Sequence, residues 1–164
     1  MAIANQLNSP SRTLQMGGVQ FTSNVGIISR GGTSSAAAGS VGQIITATRA
    51  LENALAVTNG VVTNIVSISL PAGQWLITGS ARIVFSASGL SFNCGASTVS
   101  GVLPAGPGTA IINNTPASLA NASLSLVPLI ITNPAEVTVY ITTASYFSSG
   151  TASVSGTISA LLVR

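Results

Sequence analysis

Trp75, Ile77, Gly79, Ala81, Ile83, Phe85 and Ala87 recur at every second position, and the residues between them, Leu76, Thr78, Ser80, Arg82, Val84, Ser86 and Ser88, are mostly polar. Successive side chains of a β-strand point to opposite faces, so this spacing describes a strand with one buried face and one wet face. A helix would instead repeat its apolar positions at three and four residues. Gly79 falls in phase on the apolar face, where a missing side chain marks a bulge or the close approach of a neighbour.

The same reading extends along the chain. Val62, Val66, Ile68 and Leu70 share a phase within 61–70, and Pro71-Ala72-Gly73 then turns the chain. A turn is expected at Ser88-Gly89, after which Leu90, Phe92, Cys94 and Ala96 alternate again. Residues 104–108 (PAGPG) read as a loop, and 113–121 as polar and irregular. Leu124, Leu126 and 129–131 form a strand interrupted by Pro128, which cannot donate to a ladder and so suits an edge or a bulge. Val137, Val139, Ile141 and Thr143 alternate, as do Val154, Gly156, Ile158, Ala160 and Leu162. These last two strands are expected to form a hairpin with its loop near 147–150. The stretch 48–57 (TRALENALAV) has good helix formers, but strands surround it, and strand or loop is favoured over a helical turn. Seven or eight strands with regular turns predict an all-β fold, an antiparallel β-sandwich or jelly roll, over 41–164. Residues 1–40 hold no sustained period, with 18–29 the best short strand, and read as an extended N-terminal arm ordered by docking.

Charge is nearly absent. The chain has five arginines and two glutamates, with no lysine, aspartate or histidine, while Ser and Thr number 41 of 164 residues. Without histidine or aspartate there is no Ser-His-Asp triad and no Cys-His dyad. One cysteine and two glutamates are too few ligands for a zinc or calcium site, so no metal, cofactor or catalytic residue is expected. Glu52 and Glu136, 84 residues apart in sequence, are the one pair that a glycosidase mechanism could use, and no local sequence supports it. The arginines (12, 30, 49, 82 and 164) are scattered, which argues against a nucleic-acid face. The longest apolar run, 126–131, is far short of the roughly 20 residues of a membrane span. The opening MAIANQLNSPSR lacks the pattern of a secretory leader, so the chain is expected to be made in the cytosol, or to follow the removal of a leader. Cys94 permits no internal disulfide and reads as a small buried residue. A surface of Ser, Thr, Asn and Gln leaves apolar area over, and permanent assembly would bury it.

Residues 62–85 and 137–164 resemble small bacteriophage virion proteins, of the tail-fibre-like or minor structural kind. The shared pattern is a strand, Leu-x-x-Gly-x-Trp-x-x-x-Gly, a strand, and a closing Tyr-containing hairpin that ends in a Gly-x-Ile-x-Ala-like strand and arginine. Its positions here are Leu70, Gly73, Trp75, Gly79, Tyr140, Phe147, Gly156, Ile158, Ala160 and Arg164, and the resemblance covers 41–164. It implies a non-enzymatic virion protein with a β-sandwich head, commonly a homotrimer, made in the host cytoplasm. The expected role is a capsid decoration or cement protein, docked through its arm on the major capsid protein or another virion protein. The alternative is a short tail fibre or tip that binds host-surface glycan through 99–114, with Tyr146 and Phe147 as candidate sugar contacts.

Overall fold

The computed structural model describes residues 13–16, 19–22, 38–105, 109–113 and 119–164. In chain order the strands are β1 (Thr13–Met16), β2 (Val19–Thr22), β3 (Ile44–Arg49), β4 (Leu55–Val57), β5 (Thr63–Leu70), β6 (Gly73–Ser97), β7 (Thr109–Asn113), β8 (Leu119–Ser125), β9 (Leu129–Asn133), β10 (Val137–Phe147) and β11 (Ala152–Leu162). One 3-10 turn, Leu51–Asn53, separates β3 from β4, so 48–57 is strand, turn and strand rather than a helix. All the pairings are antiparallel, and the fold is an all-β sandwich of jelly-roll type.

The 25 residues of β6 are the spine of the domain. Its first half pairs with β11, which in turn carries β3 and β4, and also with β8 and β9. Its second half pairs with β10, which carries β5, and with β7. These two groups form the two layers. β5 shares no ladder with β11 or β3 among the described residues, yet it lies against both. Arg49 Nε on β3 donates to the Ile65 carbonyl on β5 at 2.6 Å, which ties one layer to the other. The core between the layers holds Trp75, Ile77, Ile83, Val154, Ile158, Phe92, Ile65, Leu70, Val139 and Ile141, all essentially inaccessible.

The chain does not turn at Ser88-Gly89. It bends there and continues, and the inward phase changes from odd positions (Trp75 to Phe85) to even ones (Phe92, Cys94, Ala96). The ladders to β8 and β10 both shift register at this point, as a bulge requires. A Cβ on Gly89 would lie 2.5 Å from the Phe85 ring, so the glycine makes room for that ring. The two-residue signal was that of a bulge, which displaces the phase without reversing the strand.

The expected hairpin of the last two strands is also absent, since β10 and β11 share no ladder among the described residues. β10 follows β6 from Ser97 to Gly89, and β11 follows it on from Phe85 to Trp75. Both strands find in the long β6 a better partner than each other. Residues 148–150 carry the chain between them, and Gly150 takes the positive φ, +82°, that this crossing needs.

β5 shows a third departure. Ile141 faces Val66 but Thr142 faces Asn64, so Ile65 is an extra residue in the ladder. The bulge puts Ile65 in the core with Ile68 and Leu70 and leaves Val66 half-buried. Within 113–121, Leu119 to Asn121 open β8 rather than lying in irregular chain, while 114–118 fall outside the described residues. Pro128 interrupts the strand as its missing N–H requires, between β8 and β9. Of the expected arm, β1 and β2 form an antiparallel pair, and 1–12, 17–18 and 23–37 lie outside the described residues.

Cys94 is fully buried, and burial pushes its thiol up to about 12. Only the thiolate reacts, and at pH 8 that leaves on the order of one thiol in ten thousand ionised. Folded protein is therefore expected to resist iodoacetamide at pH 8 and to react fully in denaturant, as intact-mass measurement would show. Rapid labelling under native conditions would contradict the buried placement.

Candidate functional site

The few ionisable groups are spread over the fold. The 3-10 turn with Glu52 sits between the levels of Ala81 and Ile83 on β6, fixed by Arg49 before it and Leu55 after it. Glu136 follows Asn133, which pairs with Gly73. Eight residues of strand separate Ala81 from Gly73, roughly 26 Å at ~3.3 Å each. A pair of glycosidase carboxylates stands about 5–10 Å apart, so the structure does not bring these two together. Both are exposed, and Glu136 Oε1 accepts a hydrogen bond from Ser69 Oγ at 2.8 Å. Arg49 gives its Nη1 to the Asn53 carbonyl as well as its Nε to Ile65. Among the described residues no three His, Cys, Asp or Glu side chains gather into a metal site, and no helix is long and apolar enough to cross a membrane.

Tyr146 and Phe147, the candidate sugar contacts, part company. Phe147 packs edge-to-face on Phe85, with ring centroids 6.0 Å apart, and its N–H donates to Asn59 Oδ1. Tyr146 is exposed. The loop after Ser97 is tied down. Asn64 Nδ2 donates to Ser100 Oγ, Asn64 Oδ1 accepts from the Gly101 N–H, and Thr142 Oγ1 donates to the Val102 carbonyl.

What the pairing does assemble is a face. Directly opposed residues in a sheet share a side of it. Ile44 faces Leu161, Leu161 faces Leu76, and Leu76 faces Ile130, so four aliphatic side chains form one row across β3, β11, β6 and β9. The row is on the outer face, because its β6 member alternates with the buried Trp75 and Ile77. Ile44 is 54% and Ile130 60% exposed at its two ends, and Leu76 and Leu161 are half-buried between them. On one side lie hydroxyl rows, Thr46–Ser159–Thr78 and Thr48–Thr157–Ser80–Ser125, with Thr46 to Ser159 at 3.1 Å and Thr48 to Thr157 at 3.0 Å. On the other side Gln74 Nε2 donates to Thr132 Oγ1 at 3.4 Å, and Val163 stands exposed beside Gln74. These rows carry no charged side chain; Arg82 lies one row beyond Ser80, and Arg164 borders the Gln74 end. The sequence had placed Leu76 in a mostly polar phase; only the register joins it to Ile44, Leu161 and Ile130.

At the Gln74 end the face runs into an open pocket of about 370 Å³, lined by Gly73, Gln74, Thr132, Asn133, Pro134 and Arg164. Asn133 is buried there, and its Nδ2 donates to the carbonyls of Leu70, Pro71 and Ala135, which holds the β9–β10 turn against the end of β5.

No protein-family model matches the chain, and no curated protein matches it in sequence. Among solved structures it is similar to the crystal structure of the infectious bursal disease virus VP2 subviral particle, with a TM-score of 0.52 at 15% identity over 74% of this chain and 33% of that one. The structure of the infectious bursal disease virus Gx strain is similar with a TM-score of 0.48 at 14% identity, over 74% and 32%. The chain thus spans about a third of the solved chains it matches, and the likeness is one of fold.

Proposed function

We propose that this chain is a non-enzymatic structural protein of a bacteriophage virion, a homotrimeric decoration or cement protein that docks on the shell through its N-terminal arm and stabilises it. The observation that carries the reading is the outer face: an apolar row flanked by hydroxyls and free of charge, on a sandwich with the fold of a capsid-protein domain. Such a face is costly to leave in water and suits permanent assembly. The virion-protein resemblance of 62–85 and 137–164 supplies the phage setting and the trimer. The tail-tip reading is weaker, because Phe147 is committed to Phe85 and the loop after Ser97 is fastened to Asn64 and Thr142.

Particles lacking the protein are expected to release their genome at a lower temperature than complete ones, and added purified protein to restore the difference. Immunogold label should fall on the shell. Unchanged resistance to heat and chelator, with label on the tail, would overturn the reading.

A further inference from the structure

We infer that the outer face of β3, β11, β6 and β9, centred on Ile44, Leu161, Leu76 and Ile130, is the surface by which copies of this chain bind one another. This goes beyond the virion reading, since it names the surface and its occupant.

The occupant follows from chemistry and size. The rows hold no carboxylate or cation, and the nearest charges, Arg82 and Arg164, stand at opposite margins, so a charged partner would find nothing to pair with over the centre of the face and would lose hydration in docking. A second copy brings the same face: aliphatic row to aliphatic row, and hydroxyls that both donate and accept on either side. Four strands at about 4.8 Å are about 19 Å wide, and the rows from Gln74 to Ser80, six residues of strand, span about 20 Å. That projected footprint is roughly 380 Å², about half of the ~800 Å² per partner of a stable interface, and the relief of the side chains adds to it. Three such faces closed about an axis would bring their aliphatic rows together as one apolar ring.

The test is sedimentation velocity of the full chain at micromolar concentration. Wild-type protein is expected to run as a defined oligomer, at three times the 16.2 kDa chain mass for a trimer. Ile130→Glu and Ile44→Glu, on opposite edges of the face, should each run as monomers with unchanged far-ultraviolet circular dichroism. Val99→Glu, equally exposed but on the loop after β6, should leave the oligomer intact. A wild-type dimer dissolved by the same two variants keeps the face and refutes only the trimer of the functional reading. A monomeric wild type, or an oligomer indifferent to both face variants, overturns the inference. Heat resistance of particles is a separate readout, so the virion reading can fail while the face stands, and the reverse.

Discussion

Trp75→Ala is expected to cost about 4 kcal/mol of folding stability, a large fraction of the ~5–15 kcal/mol that holds a folded domain together. Trp75 is fully buried in the first half of β6, beside Leu162 and opposite Ile131. Truncation removes its transfer energy and leaves a cavity that a sheet on each side cannot collapse into. The lost hydrogen bond adds little. Trp75 Nε1 donates to the Pro71 carbonyl at 2.9 Å, but Asn133 Nδ2 donates to the same oxygen and keeps it paired. Trp75→Phe, which retains most of the apolar volume, should therefore lose far less, about 1–2 kcal/mol. Urea titration and thermal melting check this, with a fall of about 8–16 °C expected for the alanine variant. A change under about 1 kcal/mol would mean that Trp75 does not sit in the core.

The second large effect is at Gly79. A Cβ there would lie 2.7 Å from Ile141 Cδ1, 2.7 Å from the Thr157 carbonyl oxygen and 3.0 Å from Leu126 Cδ1. The two methyl groups can move, but the carbonyl belongs to β11 and shifts only with its strand. A glycine-to-alanine change at an unhindered site usually stabilises by about 0.4–1 kcal/mol through the unfolded chain. Here the sign reverses: Gly79→Ala is expected to cost about 2 kcal/mol, and Gly79→Val about 3 kcal/mol or more, as overpacking does. Urea midpoints of the two variants would show it. A neutral or stabilising alanine would contradict the close approach of the β11 backbone to Gly79.

Much of the architecture is legible in local pattern. The alternation of Trp75, Ile77, Ala81, Ile83 and Phe85, and that of Val154, Ile158, Ala160 and Leu162, both appear as buried faces. Gly79 in phase on the apolar side marks a close neighbour, and Pro128 a break between strands. The failures share one cause. Ser88-Gly89, Ile65 and residues 148–150 are places where the backbone slips phase or changes partner, and a period-two pattern cannot tell a bulge from a turn. The candidate site was illegible for a related reason. Ile44, Leu76, Ile130 and Leu161 come from four strands, and only the ladder registers put them in one row. Inventory left Glu52 and Glu136 as the one carboxylate pair without local support, and topology then separates them.

The shared spine has a consequence for how the protein is made. Every residue of β6 is synthesised before β10 and β11, the strands that follow it from one end to the other. The 65 residues from Ser97 to Leu162 take about 3–13 s at ~5–20 residues per second. For that interval the longest apolar strand in the chain waits without its main partners, and neither layer can close by itself, because each needs a part of β6 and a late strand. Folding is accordingly a single late event, dominated by distant contacts and slow for its size. The chain is then most open to wrong pairing in the moments before β10 and β11 arrive.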